Sequence, residues 1–148
     1  MNLSCKTILL ATLASALACS DSTGPKTVEA QFVLHDIGGR LLPTYPAATP
    51  GLTPTILDGT VTLYSSGQAT IFEHRTEWNG VDATYTTPYT YKIRNNVVEF
   101  APLTPCPPAA ICAGPPAGTL SLTLGRMSLN MGGAEFPIIY NYDRVVSL

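Results

Sequence analysis

Thr, Tyr and Val recur at a spacing of two along most of the chain, and the runs they form are broken by Gly, Pro and Asn. Such alternation turns one side of each run toward a core and the other toward water, and it predicts an all-β chain of antiparallel strands. The clearest stretch is residues 69–100, ATIFEHRTEWNGVDATYTTPYTYKIRNNVVEF. Asn79-Gly80 is a two-residue hairpin signal, because both residues tolerate positive φ. A turn there sets Trp78 opposite Val81. It places Phe72, His74, Trp78, Val81, Ala83, Tyr85, Tyr89, Tyr91 and Ile93 on one inward face. Glu73, Arg75, Glu77, Asp82, Lys92 and Arg94 fall on the outer face. A second turn at Asn95-Asn96 continues that partition, with Val98 and Phe100 inward and Lys92 across from Glu99. Pro88 cannot donate a ladder hydrogen bond, so it marks a bulge or an edge position within the long strand.

A second hairpin lies in GTLSLTLGRMSLNMGG. With Gly125-Arg126 as its turn, Leu120, Leu122, Leu124, Met127, Leu129 and Met131 share the inward face. Residues 27–35 place Val28, Ala30, Phe32 and Leu34 inward, and residues 60–64 add Val61 and Leu63. Residues 136–145 turn Phe136, Ile138, Tyr140 and Tyr142 inward, against the parity of Ile139 and Val145. The turn at Ser65-Ser66-Gly67 is ambiguous. Three loop residues put Val61 and Phe72 on opposite faces, whereas a fourth, Gln68, restores agreement. Eight strands result, nearly all joined in order by short turns. An antiparallel up-and-down meander of that length removes its edges by closing into a small barrel. Eight strands leave an interior filled by side chains or holding one small ligand. A two-sheet β-sandwich is the alternative.

Two long connections interrupt the meander. Residues 38–59 are rich in Pro and Gly but carry Leu41, Leu42, Tyr45, Leu52, Ile56 and Leu57, which suits a lid over one barrel end. The competing reading is a ligand or partner surface. Residues 101–118 contain Cys106 and Cys112. In an exported chain disulfides persist, and pairing of these two is expected to contribute roughly 2 kcal/mol as a structural staple. Their spacing misses the interval of zinc knuckles, and no second Cys pair accompanies them.

That the chain is exported follows from its start. Lys6 precedes an uncharged, mostly apolar run over residues 7–18, too short for a spanning helix and ending in small residues. Ala16-Leu17-Ala18-Cys19 resembles the lipobox of bacterial lipoproteins, in which the signal is cut before the Cys and the thiol is acylated. The resemblance implies a signal peptide over 1–18, lipidation at Cys19, a tether over 19–26 and one barrel domain over 27–148. Cys5 leaves with the leader. Ser20 after the Cys implies the outer membrane of the cell envelope, with the membrane engaged through N-terminal acyl chains. After the cut, seven Lys/Arg face ten Asp/Glu, a net charge of −3. That balance offers no footprint for nucleic acid and can bury one modest core.

The mature chain also resembles small lipocalin-like β-barrel lipoproteins of environmental bacteria, a group largely without assigned function. The stretches that carry this likeness are CSDSTGP at Cys19–Pro25, the strand and Gly/Leu-Pro loop at Phe32–Pro43, and GTVTLYSSGQATI at Gly59–Ile71. The GxW opening of transport lipocalins is absent.

Candidate chemistry is sparse. His74, Tyr85, Tyr89, Tyr91 and Tyr140 are the residues expected to meet a ligand if the barrel holds one, and the same tyrosines equally serve to pack its interior. His35 points outward, away from His74, so no metal site is expected. Glu73 and Glu77 stand about 13 Å apart along a strand, a poor separation for a pair of glycosidase carboxylates. No Ser sits in a nucleophile elbow and no Gly loop suits a phosphate. The expectation is therefore a non-enzymatic binding or structural module without a cofactor. The alternatives are a small-ligand carrier, a module contacting an envelope protein, or a small hydrolase or enzyme inhibitor.

Overall fold

The computed structural model describes residues 27–46, 53–104, 114–133 and 135–145. The expected leader, Cys19 and the expected tether lie outside them. The strands are β1 (Val28–Ile37), β2 (Arg40–Leu41), β3 (Thr55–Tyr64), β4 (Gln68–Thr76), β5 (Asp82–Arg94), β6 (Val97–Pro102), β7 (Ala117–Ser121), β8 (Arg126–Asn130) and β9 (Ile139–Arg144). From β3 to β9 each strand pairs antiparallel with the next, β1 pairs with β3, and β9 returns to β1. β2 is a two-residue addition beside the end of β1. Eight strands thus close an up-and-down antiparallel barrel of lipocalin-like form. The sandwich alternative fails because β3 and β6 are each paired on both sides.

The barrel has two unlike rims. The lower one carries Val28, the turns at 65–67, 95–96 and 122–125, and Val145. The upper one carries the end of β1, the start of β3, the β4–β5 tip, and both long connections. The first of those connections is partly structured. Thr44 exchanges backbone hydrogen bonds with Ile56 at 3.0 and 2.8 Å, and β3 starts at Thr55, five residues before the expected strand. Leu42 packs on the core, whereas Leu41 is exposed and Leu52 lies outside the described residues.

Turn chemistry decides which side chains enter the core. Ser65-Ser66-Gly67 and Trp78-Asn79-Gly80 are both three-residue loops, each closing on a Gly at φ +77° or +80°. That left-handed final position is one only Gly adopts without cost. Leu63 therefore faces Ala69 and Val61 faces Ile71, while Glu73 faces Tyr85 and Arg75 faces Ala83. The two-residue turn at Asn79-Gly80 and the four-residue loop with Gln68 are both corrected. One residue of slip reverses a whole strand, so the inward residues of β4 are Ala69, Ile71, Glu73 and Arg75. Phe72 and His74 take the outer face, and Trp78 and Val81 are exposed near the hairpin tip.

Elsewhere the expected partition holds in part, and Ile93, expected inward, is exposed. Asn95 and Asn96, at φ 49° and 63°, form the expected turn, with Lys92 across from Glu99 and Val98 and Phe100 buried. Pro88 sits where β5 leaves β6, whose ladder ends at Tyr89↔Pro102. Among the described residues nothing pairs with the free side of β5 from Asp82 to Thr87. The β7–β8 turn spans residues 122–125, since Ser121 faces Arg126. That register differs from the expected one by an even number, so Leu120, Met127 and Leu129 stay buried while Leu122 and Leu124 become exposed. Val28 and Phe136 are also exposed, the first beyond a bulge at Glu29 and the second ahead of β9.

Bulges at His35 and Leu57 add one residue each near the upper rim. Ile37 and Ile56 thereby enter the core from the parity opposite to Leu34 and to Leu63, respectively. Gly118 sits where β7 crosses close to β8. A Cβ there would run into the Ser128 carbonyl oxygen. Gly118→Ala is expected to part the two strands and destabilise the barrel by about 2 kcal/mol, measured as a lower urea midpoint, while Gly114→Ala, in open space, leaves it unchanged.

The disulfide expected between Cys106 and Cys112 is corrected. No disulfide occurs among the described residues, both cysteines lie outside them, and the staple is withdrawn. The strands flanking that connection are already held together by the ladder from Val97↔Thr119 to Glu99↔Ala117.

Candidate functional site

The inward turn of β4 brings charge to the barrel mouth. Arg75 donates from Nε to Glu77 Oε1 at 2.8 Å and from Nη1 to Glu73 Oε1 at 3.0 Å. Its guanidinium lies 4.0 Å from the centroid of the Tyr85 ring, a cation–π contact, and Tyr85 Oη donates to Glu77 Oε1 at 2.6 Å. From across the interior, Tyr140 on β9 extends its hydroxyl to Glu73 Oε2 at 3.4 Å. Arg75, Glu73 and Glu77 are mostly shielded, with 28%, 17% and 19% of their side chains exposed, whereas Tyr85 is itself exposed.

The protonation states follow from this geometry. Burial opposes the charge on Arg75, but the hydrogen bonds with Glu77, Glu73 and Tyr85 outweigh it and raise its pKa. The Glu77 carboxyl is held below its ordinary value by Tyr85 and then Arg75. Both carboxylates serve one arginine. A general acid requires a raised pKa, the opposite of what Glu77 has.

Beside this cluster the barrel interior holds a cavity of about 370 Å³. Pro46, Pro54, Ile56, Ile71, Tyr89 and Met131 supply its apolar wall, and Glu73, Arg75, Tyr85, Thr87 and Tyr140 complete it. Of the ligand-contact candidates, Tyr85, Tyr89 and Tyr140 meet here. His74 does not. It stands on the outer face, with Nδ1 3.0 Å from Asp58 Oδ2. Tyr91 sits near the lower rim, where its hydroxyl donates to Glu29 Oε2 at 2.8 Å and to the Tyr64 carbonyl at 3.1 Å. Glu73 and Arg75 were missed because charged side chains read as solvent-facing. The glycine closing each three-residue turn was the signal that could have found them.

A second polar array crosses the outside of β8, β9 and β1. Ser128 Oγ donates to Asn141 Oδ1 and Asn141 Nδ2 to Asp36 Oδ1, each at 2.7 Å, and His35 Nδ1 lies 3.1 Å from Asp36 Oδ2. Burial works to raise the Asp36 carboxyl, yet the hydrogen bonds from Asn141, His35 and Gly39 hold it below its ordinary value. Every member finds a partner within the array, which suits a brace across the strands near the β1 bulge. Among the described residues no group of three His, Cys, Asp or Glu is placed to hold a metal ion. Nor is any helix among them long and apolar enough to cross a membrane.

Tyr89, Tyr91, Tyr140 and Tyr142 are all pushed above the usual phenol value, first by burial. The Glu29 hydrogen bond adds to the effect at Tyr91, which reaches about 12. The fold favours the neutral phenol, so this stabilisation is full below pH 10 and is lost as pH rises through the raised values. An alkaline titration of phenolate absorbance is expected to show Tyr89, Tyr91, Tyr140 and Tyr142 ionising late, together with unfolding. Tyr91→Phe should remove one late step.

No protein-family model, curated protein or solved structure matches this chain.

Proposed function

We propose that this chain is a membrane-anchored envelope lipoprotein whose barrel is a non-enzymatic carrier for a small, mostly apolar molecule with one hydrogen-bonding end. The observation that carries this reading is the mouth cavity. Its 370 Å³ falls within the size range of ligand sites, and a single polar cluster interrupts a largely apolar wall. Tyr85, Tyr89 and Tyr140 offer flat apolar faces to the body of such a molecule, and the Glu73–Arg75 pair can accept from and donate to its polar end. Anchorage by acyl chains on Cys19, in the outer membrane, is supported by the leader and the lipobox-like residues 16–19.

Native mass spectrometry of the full-length protein, extracted gently from bacterial membranes, tests both halves. A diacyl or triacyl mass absent from Cys19→Ser is expected. So is a non-covalent mass that leaves on denaturation and is reduced in Arg75→Met. Acyl mass with an empty barrel would contradict the carrier and leave the anchor standing. A second reading, contact with an envelope protein, is favoured by the side of β5 from Asp82 to Thr87, which is unpaired among the described residues and could accept an extended strand. Crosslinks from that edge to another protein, with no bound small molecule, would select it.

A further inference from the structure

The lower rim takes no part in the mouth site, yet it gathers exposed apolar side chains. Leu122 and Leu124 occupy the β7–β8 turn and are 53% and 73% exposed. Val28, Val97 and Val145 are exposed on the same ring. Backbone hydrogen bonds join that ring, from Leu120 N to Asn96 O, Arg144 N to Gly125 O, Val145 N to Gln31 O and Ser65 N to Thr27 O. Arg94 and Arg144 stand among these groups and make no ion pair among the described residues. Among the described residues Arg126 pairs with Asp143, at 3.6 Å. Glu29, which accepts from Tyr91, also lies at this rim, and the upper end is the more acidic of the two, carrying Glu73, Glu77, Asp82 and Glu135 against Arg40 and Arg75.

What covers this rim is indicated by where the chain arrives. The described residues begin at Thr27, on this ring, and the twenty-six that precede them include the apolar run and Cys19. An anchor attached there keeps the lower rim, not the mouth, close to lipid. A leucine pair at a turn tip gains free energy by entering the apolar part of an interface. Each arginine near an anionic surface raises affinity about fivefold.

We propose that the lower rim is a docking surface for an anionic bilayer, with Leu122 and Leu124 entering the interface and Arg94 and Arg144 meeting lipid phosphates. The barrel then stands on this rim and its mouth faces away from the membrane. The proposal rests on the anchored reading for proximity, but its contacts belong to the barrel itself.

Trp78, the one tryptophan, sits 75% exposed at the β4–β5 tip by the opposite rim and gives a built-in comparison. The full-length acylated protein is reconstituted on phosphatidylethanolamine/phosphatidylglycerol vesicles. The Trp78→Phe/Leu124→Trp variant is expected to show blue-shifted emission, quenched severalfold by brominated lipid, while the parent's Trp78 is not quenched. Trp78→Phe/Leu122→Trp, which places the probe at the neighbouring leucine, should behave alike. Water-like, unquenched emission from both variants on vesicle-bound protein would overturn the docking surface and leave the anchor intact. Protein that fails to associate with vesicles would overturn both. Blue-shifted emission without lipid quenching, with a doubled native mass, would assign the rim to a second copy instead. Equal quenching on purely phosphatidylcholine vesicles would overturn the assignment to an anionic surface.

Discussion

Arg75→Met is expected to destabilise the barrel by about 2–3 kcal/mol, lowering Tm by on the order of 10 °C. The substitution keeps much of the side-chain volume but removes the guanidinium from which both Glu73 and Glu77 accept hydrogen bonds. A fully buried arginine would cost more. With 28% of Arg75 exposed, water offsets part of that cost. If the cost is the orphaned carboxylates, then adding Glu73→Gln and Glu77→Gln to Arg75→Met should recover most of it, because removing both sides of an ion pair is often nearly neutral. Differential scanning calorimetry of the single and triple variants checks this. The pH dependence has a definite sign. Glu77 is depressed in the folded state, so its contribution is full above the ordinary glutamate value of 4.5 and is lost as pH falls through the depressed one. Arg75→Met should flatten that acid limb.

Phe32→Ala is expected to cost more, about 3–5 kcal/mol. Phe32 is fully buried, opposite Val61 on one neighbouring strand and Arg144 on the other, where β1 joins β3 to β9 and closes the ring. A cavity there loosens the seam of the barrel as well as its core. Small domains hold only about 5–15 kcal/mol in all, so this single change removes a large share. Phe136→Ala is the contrast, since that ring is 75% exposed and its loss should stay within about 0.5 kcal/mol. Urea denaturation of the two variants separates them.

The parts of this fold legible in the sequence are those where a turn leaves no choice. Asn95-Asn96 has two residues that tolerate the left-handed region, and the β5–β6 hairpin follows in register from it. β7 and β8 were legible by parity alone. Their true turn lies four residues of register away, and an even shift leaves the faces unchanged while pushing Leu122 and Leu124 off the ladder. β4 was illegible for the opposite reason. Two flanking loops each hold three residues, and hydrophobicity argued for the wrong side, since Phe72 and Trp78 read as core and Glu73 and Arg75 as surface. Burying those charges becomes tolerable only because Glu73, Arg75, Glu77 and Tyr85 satisfy one another, a pairing that spans two strands and needs the register to be known first. Bulges escape alternation in the same way, and Ile37 and Ile56 reach the core only because one extra residue precedes or follows them. The mouth cavity was half legible. Tyr85, Tyr89 and Tyr140 were in view, while His74 came from the misplaced face of β4.

The register of β4 is therefore the claim on which the mouth site depends, and nuclear Overhauser contacts in the labelled full-length protein test it most directly. Backbone contacts are expected between Arg75 and Ala83 and between Glu73 and Tyr85, with a contact from the Tyr140 ring to the Glu73 side chain through the barrel interior. Contacts pairing Trp78 with Val81 and Arg75 with Thr84, with the His74 ring against Tyr140, would contradict it. The charged cluster would then lie on the outside, and the Glu73–Arg75 pair would be lost from the mouth as the group that orients a ligand.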